Sequence, residues 1–279
     1  MKKLLFLGGL ALIPSVVLAL DITVGATRLS IPAPAGFAPI TGDMKPYAEM
    51  AKKFVPATNE QFALFVPAAE AALAARGGIP TSDRRFYVQT VKELVQPFVT
   101  SADFADVRRA IKEQNGEVMK KAEAQFPDIF KKINQGVADD YKVDLALSLT
   151  QMLPLPPHYE TDRAMAFSMI VKYQINDANG KPVPYEGVVT ATFIHLQGKI
   201  LFLYVNAEKA GLEWSRAEAK KWADTVVAAN PSDEAVAKRE ASHEGSGFDW
   251  SQVGEKALIG GIIGGLIGLA RYFFRKKKP

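Results

Sequence analysis

The sequence predicts an α+β domain in which helices cover an antiparallel sheet, followed by one C-terminal transmembrane helix. Three observations lead to this prediction. Strand patterns separated by turn dipeptides occupy residues 165–206, an amphipathic helix pattern follows them, and both ends of the chain are apolar. The chain has 279 residues, 48% of them hydrophobic, which is enough for a packed core.

The N-terminus predicts a secretory signal over residues 1–19. Two lysines precede an apolar run from Leu4 to Ile13, and Val17-Leu18-Ala19 has the small-residue pattern of a cleavage site. An uncleaved anchor is the weaker alternative, because the run is short and Pro14 interrupts the apolar segment. The sequence therefore predicts export of the domain that follows.

The predicted exported domain comprises residues 20–230. The sequence of its first half indicates helices and strands less clearly than that of its second half. A helical region from Ser101 to Gln135 is expected to break near Asn115-Gly116 and at Pro127. Its best apolar stripe consists of Phe126, Ile129, Phe130 and Ile133. Strands are predicted in ATRLSIPAPAGFAPI, QFALFVPA, RRFYVQTVKELV and KVDLALSLTQML, and a further helix in DMKPYAEMAKKFV.

The second half predicts a three-stranded antiparallel meander. Apolar residues take alternate positions from Met165 to Ile175, the period of a half-buried strand. Asn179-Gly180 and Gln197-Gly198 supply the two turns, because both dipeptides tolerate positive φ. The run KILFLYVN is apolar on both faces and predicts a central strand.

A helix closes the domain in WSRAEAKKWADTVVAANP. Ser215 and Glu218 have capping-box spacing and predict its start, and Asn230-Pro231 predicts its end. Ala219, Trp222, Val226 and Ala229 form one apolar stripe for packing on the sheet.

This order of elements resembles the PsbP-like α/β/α sandwich. The residues that carry the likeness are LSIPAPAGF near the start and HLQGKILFLYVN with LEWSRAEAKKWADTVVAAN at the end. The resemblance implies a twisted antiparallel sheet with helices on both faces. It also implies a binding or assembly role without catalysis, and it assigns no site residues.

The C-terminal region predicts a linker (231–256), a transmembrane helix (257–274) and a basic tail (275–279). The 18 residues of this predicted helix, at about 1.5 Å per residue, approach the thickness of a hydrocarbon core. Trp250, Arg271 and Tyr272 are the predicted anchors at the membrane interfaces. The cationic tail predicts a cytoplasmic C-terminus, so the chain would cross the inner (plasma) membrane once with its domain in the periplasm.

Glycines recur every four residues in the predicted transmembrane helix. In lipid such a stripe favours close packing with another helix, so we expect a homo-oligomer or a partner membrane helix. A glycine-rich anchor without a specific partner is the alternative. The stripe consists of Gly260, Gly261, Gly264, Gly265 and Gly268.

The net charge of +4 comes from the two ends of the chain. Without two lysines of the signal and five cations of the last nine residues, 27 of the 34 basic residues remain against 30 acidic ones. The exported domain is therefore slightly acidic, and nucleic acid is not a predicted partner. The expected partners are the lipid bilayer and an unknown periplasmic protein or small ligand.

Enzymatic chemistry has one candidate in the loop PPHYETD. His158, Glu160 and Asp162 stand at alternate positions, where an imidazole and two carboxylates could bind a divalent ion. His195 is expected to be a packed residue of the sheet. The chain has no cysteine, no nucleotide-binding loop and no HExxH helix, so no cofactor is predicted. The sequence thus favours a membrane-tethered binding or assembly module, with a metal-dependent enzyme or hydrolase as the alternative.

Overall fold

A computed structural model describes residues 19–141, 146–177, 180–232, 234–242 and 250–266 of the chain. The predicted signal, except Ala19, lies outside these ranges. So do Gly268, Arg271, Tyr272 and the basic tail, together with His243 of the predicted linker.

The described residues form ten strands and six α-helices. The strands are β1 (Ala19–Val24), β2 (Thr27–Pro32), β3 (Phe37–Pro39), β4 (Asn59–Pro67), β5 (Arg85–Val91), β6 (Ser148–Pro154), β7 (Tyr159–Glu160), β8 (Ala164–Asn176), β9 (Pro182–Leu196) and β10 (Lys199–Glu208). The helices are α1 (Tyr47–Lys52), α2 (Ala68–Ala75), α3 (Ser101–Tyr141), α4 (Leu212–Ala229), α5 (Glu234–Ser242) and α6 (Trp250–Gly265).

Eight strands form one antiparallel sheet in the order β3-β4-β5-β10-β9-β8-β6, with β7 beside β8. The predicted meander is confirmed as β8-β9-β10, and β10 is a central strand between β5 and β9. Gln197 and Gly198 turn the chain between β9 and β10 with φ values of 49° and 75°. Strands β1 and β2 pair as a separate hairpin.

Helices cover both faces of this sheet. On one face, Trp222 and Val226 of α4 pack with the β1-β2 hairpin against Phe86, Val88 and Leu203. On the opposite face, α1, α3 and α6 share a larger apolar core with the same strands. The structure is therefore α+β, with the helix-covered antiparallel sheet that the sequence predicts.

The long helix α3 runs without a break, although the sequence predicts breaks near residues 115–116 and at Pro127. Proline removes one backbone hydrogen bond and crowds the preceding turn. Here Pro127 is exposed, while Phe126, Phe130 and Ile133 of the predicted stripe are buried beneath it. Packing of this stripe keeps the helix continuous through the proline.

The start of α4 also differs from the prediction. Helix α4 begins at Leu212, so Ser215 lies inside its first turn rather than at the cap. The Ser215 hydroxyl donates to the Leu212 carbonyl oxygen at 2.9 Å and lies 2.8 Å from the Thr190 hydroxyl on the sheet. The predicted end is confirmed, since the helix stops at Ala229 and Asn230 follows as its C-cap.

The predicted linker 231–256 contains helical structure. Helix α5 occupies part of the segment, and α6 begins at Trp250, seven residues before the predicted transmembrane start. Within the described ranges, no helix combines the length and the apolar character needed to cross a membrane.

Candidate functional site

Helix α6 lies across the face of the main sheet and packs against α3 and against strands β4, β5, β9 and β10. Its apolar side chains point into the domain and not into solvent. Seven of these residues are at most 2% exposed: Val253, Ala257, Leu258, Ile259, Ile262, Ile263 and Leu266. The first ten residues of the predicted transmembrane helix are therefore part of the core of the domain.

Two glycines of α6 contact stacked tyrosine rings of the sheet. A Cβ on Gly264 would lie 2.5 Å from Cε2 of Tyr87, and a Cβ on Gly261 would lie 2.8 Å from Cε1 of Tyr204. The two tyrosine rings stack with centroids 4.7 Å apart. Any larger residue at positions 261 and 264 would push the helix away from these rings.

The other two described glycines of the predicted stripe contact side-chain amides of the sheet. A Cβ on Gly260 would collide with the amide nitrogen of Asn59 and would lie 2.7 Å from Oε1 of Gln89. A Cβ on Gly265 would collide with the amide nitrogen of Asn206. The absence of side chains at four positions therefore sets the distance between α6 and the sheet.

Tyrosine hydroxyls connect the sheet to the backbone of α6. Tyr87 donates to the carbonyl oxygen of Gly261 at 2.6 Å, and Tyr204 donates to that of Ala257 at 2.6 Å. Tyr173 donates to the carbonyl oxygen of Ile262 at 3.0 Å. Burial raises the pKa of all three phenols well above the usual value of 10, so they stay protonated donors.

Amide side chains complete this surface. The Asn59 amide donates to Gln89 Oε1 at 3.1 Å and to the Lys256 carbonyl oxygen at 3.4 Å. The Oδ1 atom of Asn206 is buried without a hydrogen-bond partner. We call the surface under α6 the tyrosine floor, and it consists of Asn59, Tyr87, Gln89, Tyr173, Tyr204 and Asn206.

In the structure the glycine stripe faces the sheet. Gly260, Gly261, Gly264 and Gly265 let α6 approach the tyrosine floor closely. Packing of the stripe against a second membrane helix stays a prediction. Trp250, predicted at the membrane interface, is 9% exposed and belongs to the core under α6.

The structure does not arrange His158, Glu160 and Asp162 as ligands of one metal ion. Glu160 pairs with Lys112 at 2.6 Å and with Arg108 at 3.3 Å, so both of its carboxylate oxygens already have basic side chains as partners. Asp162 is fully exposed, 3.9 Å from Arg108. Both ring nitrogens of His158 are buried without a hydrogen-bond partner, and burial lowers its pKa to about 4. Among the described residues, no group of three or more His, Asp or Glu side chains is arranged to hold a metal ion.

His195 is a packed residue of the sheet, as predicted. A ring nitrogen lies 2.8 Å from the Val99 carbonyl oxygen, and the ring stacks on Phe104. Burial lowers the pKa of this imidazole, so its neutral form is favoured.

Two cavities flank α3. One, of about 440 Å³, lies between α3, α6 and residues 53–58, and the other, of about 450 Å³, lies between α3 and β6. Neither the two cavities nor the tyrosine floor was predictable from the sequence. Alternation marked Tyr173 as buried, but no local pattern shows that three tyrosines from different strands meet one helix.

Comparison with family models and with curated proteins returns no match. Among solved structures, the chain is similar to the Ran-binding protein Mog1p of Saccharomyces cerevisiae, with 12% identity and a TM-score of 0.32 over 79% of this chain and 98% of that one. It is also similar to the cyanobacterial PsbP protein of Synechocystis sp. PCC 6803, with 12% identity and a TM-score of 0.30 over 81% of this chain and 99% of that one. The PsbP-like resemblance seen in the sequence thus recurs among solved structures, and it concerns the fold alone.

Proposed function

We propose that this chain is an exported binding or assembly module that its C-terminal segment tethers to a membrane. The segment would exchange between the sheet and the bilayer. The observation that supports the proposal is the position of α6. Half of an apolar segment long enough to cross a membrane covers a tyrosine-rich face of the domain.

The docked and spanning positions of this segment exclude each other. A membrane span needs about 20 residues, and residues 257–266 are packed on the sheet. The remaining eight residues, 267–274, would extend about 12 Å as a helix, well short of a hydrocarbon core of about 30 Å. Tethering therefore requires that α6 leave the sheet.

Release of α6 would expose a surface suited to a partner. The tyrosine floor offers three phenol donors and the unpaired Asn206 Oδ1, set among aromatic rings. Tyrosine-rich surfaces with a few polar groups are typical of protein interfaces. In the tethered form this face would bind the partner, and in the docked form α6 would occupy it.

A reversible disulfide tests the exchange, and the chain is suited to it because it has no native cysteine. A Cβ at position 265 lies 3.6 Å from Cγ of Asn206, the atom that a cysteine sulfur would replace, so cysteines at these two positions would be neighbours. The double variant N206C/G265C, oxidised, should hold α6 on the sheet. The single variants N206C and G265C control for the substitutions themselves.

The measurement is flotation of the purified chain with phosphatidylethanolamine–phosphatidylglycerol vesicles after a carbonate wash. We expect the reduced double variant and both single variants to float, and the oxidised double variant to stay behind until it is reduced. Equal flotation of the oxidised and reduced forms would show that docking does not control insertion. Failure of every form to float would remove the membrane tether.

A further inference from the structure

The cavity between α3 and α6 combines an apolar wall with basic side chains. Ile129 and Ile133 of α3 face Ile259 and Ile263 of α6 across the cavity. Three of these four isoleucines are at most 7% exposed, and Ile129 is partly buried. A wall of this kind binds hydrocarbon and offers little to a polar ligand.

The charged residues that line this cavity are both basic. Lys53 and Lys132 contribute to its lining, and Lys132 is exposed, so the cations stand where the cavity meets solvent. Lys53 also pairs with Asp140, which lies outside the lining. Glu255, likewise outside the lining, contacts Gln125.

The second cavity shows that this charge pattern is specific to one side of α3. That cavity has nearly the same volume and is also largely apolar, but its charged lining residues are one acid, Glu123, and one base, Lys131. Its charges balance, whereas those of the cavity beside α6 do not.

We propose that the cavity between α3 and α6 binds a fatty acid, with the acyl chain among the four isoleucines and the carboxylate at Lys132 and Lys53. A volume of about 440 Å³ lies within the usual range for small-molecule sites. The carboxylate pairs with the exposed ammonium of Lys132 and shares Lys53 with Asp140. This binding needs α6 on the sheet and does not depend on membrane insertion.

The site also connects the ligand to the position of α6. Ile259 and Ile263 complete the wall only while the helix is docked, so a ligand that binds there stabilises the docked form by mass action. A fatty acid would thereby oppose the release of α6 from the tyrosine floor.

The test measures decanoate binding to the purified full chain by isothermal titration calorimetry, below the micelle concentration. Lys132→Glu should weaken binding about tenfold, since it removes one ion pair and adds a repulsion. Lys131→Glu, its neighbour in the other cavity, should change the affinity by less than about twofold. Decanol should bind more weakly than decanoate, and inorganic phosphate should not bind.

A cavity-filling variant guards against effects of charge on folding. Ile129→Trp places a large ring at the partly buried edge of the cavity and should abolish decanoate binding while the circular dichroism spectrum is kept. The proposal is overturned if decanoate does not bind, if decanol or decyltrimethylammonium binds as tightly, or if Lys131→Glu rather than Lys132→Glu weakens binding.

Discussion

Glycine inside a helix usually costs about 0.5–1 kcal/mol relative to alanine, and α6 carries four glycines between positions 260 and 265. Their contacts give the reason for this composition. Each lies where a Cβ would meet a tyrosine ring or an amide of the sheet. The conformational cost of these glycines is therefore offset by close packing and by the phenol-to-carbonyl hydrogen bonds that this distance permits.

Gly264→Ala should consequently destabilise the docked chain, although alanine is the better helix former. The new methyl group would lie 2.5 Å from the Tyr87 ring, and overpacking of this kind costs about 1–3 kcal/mol. The matched control is Gly136→Ala in α3, where the added Cβ meets nothing within 4 Å beyond its chain neighbours and the backbone of its own helix. That variant should be more stable by about 0.5–1 kcal/mol. Urea unfolding of both variants measures whether each substitution raises or lowers the unfolding free energy. A higher unfolding free energy for both variants would contradict the contact of Gly264 with the sheet.

His158 should make stability depend on pH. In the native chain its pKa is lowered to about 4, against about 6.5 in an unfolded chain. Between these values the unfolded state binds a proton that the native state does not bind. The stability contributed by neutral His158 is therefore complete above pH 6.5 and is lost as the pH falls toward 4.

Replacement of the His158 imidazole tests whether this residue makes stability depend on pH. His158→Phe removes the titrating ring and its two unpaired nitrogens, so its unfolding free energy should fall less steeply between pH 6.5 and 4 than that of the native chain. His195, also neutral and buried, keeps part of the slope in both proteins. Identical slopes in thermal or urea unfolding would show that His158 does not titrate in this range.

Single elements were predictable wherever a local signal decided the structure. The meander follows from alternation and from the Gln197-Gly198 turn, and α4 follows from the stripe around Trp222. The continuity of α3 was not predictable in this way. Pro127 signals a break locally, but burial of Phe126 and Phe130 against other elements outweighs that signal.

Helix α6 shows why the site was harder to predict than the fold. Glycines spaced by four indicate that some surface approaches the helix closely, and in the structure that surface is the sheet. The spacing is the same whether that surface is another helix in lipid or a sheet in the same domain. The neighbour is set by Tyr87, Tyr173 and Tyr204, which stand on different strands far away in sequence.

For the whole molecule, the sandwich needs a cover on the face that α6 occupies. Without α6, the tyrosine floor and the apolar side chains of α3 would face water, and an exposed patch of this kind promotes association. The same face can therefore be covered by α6 in the docked form or by a partner in the proposed tethered form.

Truncation separates this role from that of a simple tether. A chain ending at Ser242 loses α6 and should unfold at a markedly lower temperature and bind the dye ANS, because one face of the core is open. A chain ending at Leu266 keeps α6 (Trp250–Gly265) and should retain the melting temperature of the full chain. Differential scanning calorimetry and dye fluorescence compare the two. If the chain ending at Ser242 were as stable as the one ending at Leu266, α6 would serve as an attachment alone, and the floor beneath it would be stable in water without a cover.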